Sequence, residues 1–179
     1  MNFQCSDPAL EAVHKKVKNQ TRLSREDGIS IFHTLDLTGL GMIADFARKR
    51  IHGDKAFYVY NQHLNYTNIC KNRCLFCAYA RDRADKGAYC YTIEEIEQRL
   101  VERIDEPVDE LHIVGGLNPE LDFDYFLDLL ETVKKVRPEA GIKAFTCVEI
   151  DYLANLSGLS VSRTIEKLKQ AGLDMMPGG

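Results

Sequence analysis

A chain of 179 residues is long enough for one domain with its own hydrophobic core. At 45% hydrophobic and 28% charged it lies outside the composition of disordered chains, and a net charge of −4 offers no general attraction to nucleic acid or an anionic membrane. No apolar stretch reaches the length of a bilayer span and the first residues carry no secretory core. A cytoplasmic, thiol-reducing setting is therefore expected, where clustered cysteines serve metals rather than disulfides.

The first third reads as helical. Ser24 with Asp27 forms a capping box, and a further helix is expected from Asp36 or Thr38 through GLGMIADFARKRI, stopped by Gly53. AFYVY (56–60) has the aromatic and aliphatic content of a buried strand and leads through NQHLNYTN into a cysteine-rich loop. Thr92 and Glu95 cap a helix over IEEIEQRLVERI, with Ile93, Ile96, Leu100 and Ile104 on its apolar face.

VDELHIV (108–114) is the second expected strand, broken by Gly115-Gly116. Asp122 caps an amphipathic helix lined by Phe123, Phe126, Leu127, Leu130 and Val133, with Pro138 past its end. GIKAFTCV (141–148) is the third strand and VEIDYLANLSG a short helical link. Ser160 or Ser162 opens a helix facing inward with Val161, Ile165 and Leu168 and ending at Gly172, and LDMM (173–176) starts a fourth strand.

Strand and helix alternate from residue 56, which predicts an α/β fold of parallel strands with crossover helices. The expected organisation is a helical segment over 1–54 and, over 55–179, the N-terminal part of a (βα) TIM-like barrel cut before closure, because a sheet ending at the fourth strand would leave an open edge. A small open α/β sheet complete in itself is the alternative.

Three of the six cysteines, Cys70, Cys74 and Cys77, form C-x3-C-x2-C, a pattern with chance odds of about 4 × 10⁻⁵ per starting position. Cys5, Cys90 and Cys147 are scattered and read as ordinary small side chains. Three readings of the cluster stand. A structural zinc site needs four ligands, so His63 or Cys90 would complete it. An electron-carrying [4Fe–4S] centre also takes four thiolates. In the third, three thiolates hold three irons and the fourth iron stays open for a substrate, as an open position marks a catalytic metal.

Cys70, Cys74 and Cys77, with Phe76 before the last, resemble the C-x3-C-x-aromatic-C signature of radical S-adenosylmethionine (SAM) enzymes. The resemblance implies a radical SAM barrel with the cysteine loop after its first strand, and a [4Fe–4S] cluster whose open iron chelates SAM. Reductive cleavage of SAM then gives methionine and a 5′-deoxyadenosyl radical. Phe76, Gly115, Gly116 and Glu149 are the residues it implies around SAM. Leu117 stands where the family's glycine-rich segment has an acidic residue. For Gly115-Gly116 the plain alternative is a turn; for Glu149, at the expected end of the third strand, it is a helix cap.

His63, Asn65, Tyr66 and Asn68 fall near the first strand's mouth, His63 being readable as a core, loop or catalytic histidine; Arg73 and Arg81 read as solvated. HLNYTNICKNRCLFCAY, ELHIVGGLNPELDFDYFLDLL, IKAFTCVEIDYLANLSG and GLDMMPGG together resemble the aminofutalosine synthase family, over about residue 22 to the end, corresponding to the first half of such an enzyme. That implies addition of the adenosyl group to 3-[(1-carboxyvinyl)oxy]benzoate in the futalosine route to menaquinone. The implied partners are that enol-ether benzoate and an electron donor such as flavodoxin or ferredoxin, with no nucleic acid and no membrane. Sister enzymes, cyclic dehypoxanthinyl futalosine synthase and deazaflavin-forming synthases, are the near alternatives, and a non-catalytic zinc-stabilised binding module the distant one.

Overall fold

A computed structural model describes residues 5–178; residues 1–4 and 179, the outer ends of the two expected segments, lie outside it. Its internal contacts divide the chain into two compact units, Met1–Tyr58 and Val59–Gly179.

The first unit is helical. Asp7 caps α1 (Pro8–Lys18) by accepting from the Ala9 N–H, with proline at the first helical position and Lys15, Lys16 and Lys18 in the last turn, where cations suit the helix dipole. The Ser24–Asp27 capping box starts α2 (Arg25–His33), and Lys16 reaches Asp27 at 2.7 Å, holding that carboxyl below its usual range. Asp36 caps α3 (Leu37–His52), which ends at Gly53 with φ 63°, a conformation glycine tolerates. Leu10, Val13 and Ile43 form this unit's core.

The second unit runs β1 (Asn61–Leu64), α4 (Ile93–Val101), β2 (Glu110–Ile113), α5 (Phe123–Val136), β3 (Gly141–Ala144), α6 (Cys147–Ser157) and α7 (Val161–Ala171). The strands are parallel, in the order β1-β2-β3, with Gln62 opposite Leu111 and Leu111 opposite Ile142. Parallel neighbours need crossover connections, and α4 and α5 supply them. Leu64, Leu111, Ile113, Ile142 and Ala144 join one cluster with Ile96 and Leu100 of α4, Phe126, Leu129, Leu130 and Val133 of α5, Leu153 of α6 and Leu168 of α7. Burying a side chain of this kind contributes about 1.5–3 kcal/mol, so this layer is the main stabilising element.

Several expected boundaries move. AFYVY is not the strand: Phe57 and Tyr58 are 87% and 86% exposed, and the ladder starts only where Asn61 meets Glu110. The partner strand sets the register, and the polar NQHL segment can pair because a strand needs only alternate inward side chains, here Gln62 and Leu64. β3 stops at Ala144 because Phe145 takes φ 60° and Thr146 caps α6, so Cys147 and Val148 are helical. Helix α4 ends at Val101, leaving Ile104 exposed, and Val161 is exposed at the first position of α7. The fourth strand is represented by one parallel bridge, Lys143 with Met175. Among the described residues no helix is long and apolar enough to cross a membrane.

Candidate iron–sulfur and SAM site

Because the strands are parallel, the segments after β1, β2 and β3 leave the sheet at the same end. The first is Asn65–Cys70. Thr67 and Asn68 are buried polar residues at the mouth of a strand, a costly placement unless every group is paired. They are paired: Thr67 Oγ1 donates to the Tyr89 carbonyl at 2.7 Å, Asn68 Nδ2 donates to the Gly87 carbonyl at 2.8 Å, and the Tyr89 N–H donates to Asn68 Oδ1 at 2.8 Å. The returning chain at 87–91 thus clamps the entrance to the cysteine loop.

Cys70 stands at the base of that loop. Its N–H donates to the Arg81 carbonyl at 3.2 Å, its carbonyl accepts from Arg73 Nη1 at 2.9 Å, and its sulfur accepts from the Leu117 N–H at 3.3 Å. The Lys71 N–H donates to the Leu117 carbonyl at 3.0 Å, so the loop base is laced to the segment after β2. Cys74 and Cys77 lie further out, both exposed, joined by a turn in which the Cys77 N–H donates to the Cys74 carbonyl at 3.0 Å. Phe76 is 96% exposed at the tip. Arg73 is solvated as expected, in an exposed ion pair with Asp82; Arg81 Nη1 donates to the carbonyls of Ala78 and Ala80.

Gly115 and Gly116 are more than a turn. A Cβ on Gly116 would stand 2.2 Å from the Ile69 carbonyl oxygen and 3.0 Å from Cys70 Cβ; on Gly115 it would stand 2.5 Å from the Tyr66 ring. Only glycine lets the cysteine loop approach the end of β2 this closely. Both amides are committed within the fold, Gly115 N–H to Glu149 Oε1 at 3.0 Å and Gly116 N–H to the Thr67 carbonyl at 2.9 Å.

Of the two roles open to Glu149, the structure shows the cap. It completes a capping box with Thr146, is 3% exposed, and accepts four hydrogen bonds: from the Tyr66 hydroxyl at 2.9 Å, Gly115 N–H at 3.0 Å, and Thr146 N–H and Oγ1 at 2.8 Å each. One buried carboxylate therefore ties the ends of all three strands together. Burial and then the Glu149 charge push the Tyr66 phenol well above its ordinary range, so it stays a proton donor. Tyr66 packs edge-on against Phe126 and Phe145, with ring centroids 5.6 and 6.3 Å away. Phe145 is fully buried, and its left-handed backbone is a strained conformation for a residue with a side chain.

The sequence did not single out Thr67, Phe145 or the Leu117 amide. Thr67 left a trace, a small polar residue just ahead of the first cysteine, whereas a backbone amide and a positive φ leave none. His63 lies in β1, its ring stacked on His112 at 4.8 Å, and Cys90 bridges to Thr67. Among the described residues no three His, Cys, Asp or Glu side chains converge as a metal cage, so neither a zinc site completed by His63 or Cys90 nor a closed three-thiol seat is preassembled. What the loop supplies is a donor set of the right kind: three thiols on one short segment, two of them open to solvent, and one base thiol already receiving an N–H. These residues fit a cluster that gathers its own ligands on binding.

Residues 64–179 match the Radical SAM superfamily. The chain is 36% identical to aminodeoxyfutalosine synthase of Thermus thermophilus over 97% of its own length and 46% of the relative's. It is 40% identical to 5-amino-6-(D-ribitylamino)uracil–L-tyrosine 4-hydroxyphenyl transferase of Methanopyrus kandleri over 74% of its length and 36% of the relative's. The chain thus spans about half the length, or less, of these curated relatives. In fold it is similar to the crystal structure of methylornithine synthase (PylB), with a TM-score of 0.70 at 20% identity, covering 93% of this chain and 46% of that one.

Proposed function

Since the chain belongs to the Radical SAM superfamily, whose members use a [4Fe–4S] cluster and SAM, we propose that it is the N-terminal part of a (βα) barrel transferase that joins the 5′-deoxyadenosyl group of SAM to 3-[(1-carboxyvinyl)oxy]benzoate. The product is 6-amino-6-deoxyfutalosine, with methionine and bicarbonate released, in menaquinone biosynthesis. The observation that carries this reading is the three-thiol loop whose base rests on Gly115-Gly116, joined to 36% identity with an aminodeoxyfutalosine synthase over nearly the whole chain.

Cys70, Cys74 and Cys77 would hold the cluster, which when bound would supply the electron for cleavage of the SAM sulfonium. The chain's own residues do the rest. Cys70 is held at the sheet end by the Leu117 N–H, an N–H···S contact of the kind that tunes cluster potential. Phe76 adjoins the last thiol in sequence and offers an aromatic face near bound SAM. Gly115 and Gly116 bring backbone carbonyls within reach of its ammonium group, and Glu149 holds that backbone in place rather than contacting SAM. Flavodoxin or ferredoxin is the electron donor in this reading, with no nucleic acid or membrane partner.

The test is anaerobic reconstitution with iron and sulfide, then EPR of the reduced enzyme with and without SAM. A shifted signal on adding SAM is expected, and an unchanged one counts against SAM ligation. With the enol-ether benzoate and SAM labelled in its adenosyl carbons, the label should appear in the nucleoside adduct. The 40% identity to the Methanopyrus kandleri hydroxyphenyl transferase favours a second reading, a sister radical SAM transferase acting on tyrosine. In that case the label leaves as free 5′-deoxyadenosine.

A further inference from the structure

The sheet has two unlike faces. Gln62, whose Nε2 donates to the Arg99 carbonyl of α4 at 3.0 Å, shows which parity faces the helices, and Leu64, Leu111, Ile113, Ile142 and Ala144 share it. The other parity places His63, His112 and Lys143 side by side, paired in register across β1, β2 and β3. The two imidazoles stack at 4.8 Å with their planes 23° apart, and Lys143 reaches Glu110 one layer down at 2.8 Å. Each of the three residues is next to last in its strand, so the row lies one layer below the end where the cysteine loop and Gly115-Gly116 leave the sheet.

Such a row is an unusual lining for a parallel sheet, whose faces are ordinarily covered and apolar. The Lys143 ammonium, ion-paired with Glu110, has three donors, and each imidazole presents at least one N–H or accepts a proton. His63 is exposed and His112 and Lys143 are partly exposed, so the row is open to a ligand. Resting on the functional reading above, we propose that His63, His112 and Lys143 form the wall that binds a carboxylate of the substrate, an aromatic acid, and so set the reacting end of the molecule toward the cysteine loop.

A carboxylate suits this wall better than a neutral group because it accepts from the ammonium and both rings at once, and hydrogen bonds to an ionised partner are the stronger kind. His112 is faced by His63, Lys143, Glu110 and Glu149; burial, then His63 and Lys143, hold its imidazole below the ordinary range, while the two glutamates pull it back. A bound carboxylate adds a negative charge that favours the imidazolium, so binding takes up a proton. Affinity for a carboxylate therefore rises as pH falls toward the lowered range in which His112 takes up its proton.

The experiment is calorimetric titration of the anaerobically reconstituted enzyme with benzoate, and with benzamide as its neutral counterpart. Benzoate should bind more tightly than benzamide, and Lys143→Gln and His112→Asn should each weaken benzoate roughly tenfold or more while leaving benzamide unmoved. Circular dichroism melts identify any variant that fails to fold, and the benzoate–benzamide comparison across pH in the unmutated enzyme stands without either variant. Equal binding of the two probes, or benzoate affinity unchanged in a folded variant, overturns the proposal. The SAM-dependent EPR shift on the same preparation reports the cofactor reading separately, so the wall can fail while SAM binding stands, and the reverse.

Discussion

Cys70 and the Cys74–Cys77 turn belong to one short loop yet are held by different means. Around Cys70 the backbone N–H, the carbonyl and the sulfur all have partners from outside the turn, and the residue packs against the core. Around Cys74 and Cys77 the recorded contact is the turn's own hydrogen bond, and Leu75 and Phe76 between them are 99% and 96% exposed. In the proposed reading one ligand is positioned in advance and two are left for the metal to position, which would couple metal binding to ordering of the tip.

The largest effects should fall on the tip. Cys74→Ala and Cys77→Ala are each expected to abolish iron and sulfide retention after reconstitution, while shifting the stability of the metal-free protein by no more than about 0.5 kcal/mol. Cys70→Ala should lose the cluster and also destabilise the metal-free protein by about 1 kcal/mol, because its sulfur lies in a packed, hydrogen-bonded position. Equal metal-free stabilities for the three variants, measured by urea melts, would erase the contrast between base and tip.

Next in size is Glu149→Gln. An amide nitrogen placed among the Tyr66, Gly115 and Thr146 donors removes at least two hydrogen bonds to a charge, each worth about 1.5 kcal/mol or more, for a loss of about 3 kcal/mol. Hydrogen exchange should quicken at the Gly115 amide and stay unchanged at Cys77. Faster exchange at the tip alone would show that the base does not depend on this carboxylate.

Gly116→Ala sharpens the comparison most finely. Its methyl must push the Ile69 carbonyl and Cys70 away from β2, at about 2 kcal/mol, and reconstitution should yield a cluster of altered EPR line shape rather than none. A line shape identical to that of the unmutated enzyme would mean that the approach of Cys70 to β2 has no bearing on the cluster.

Much of this was open to reading along the chain. Local signals were accurate where the interaction is local: Ser24–Asp27, Thr92–Glu95, Asp122 and Ser160 mark helix starts because a cap joins residues three apart. The thiol loop stood out for the same reason, all three cysteines lying within one short segment. Errors gathered where a distant partner decides. AFYVY looked like a strand by content, but β2 begins opposite Asn61. Glu149 is the helix cap that its local sequence allows, but its bonds to Tyr66 and Gly115, which cross 83 and 34 residues of sequence, were out of reach of local signals.

By itself, then, the order of residues determined the alternation of strands and helices, their caps, the three-thiol pattern of the loop and the family that pattern belongs to, since each depends on residue types at short spacing. Tertiary structure alone decided which residues share a strand register, how Gly116 admits Cys70 to the sheet end, that Glu149 ties three strand ends together, and that His63, His112 and Lys143 stand in one row. Those depend on contacts between segments far apart in the chain, whose positions are set by packing of the whole core rather than by any local preference.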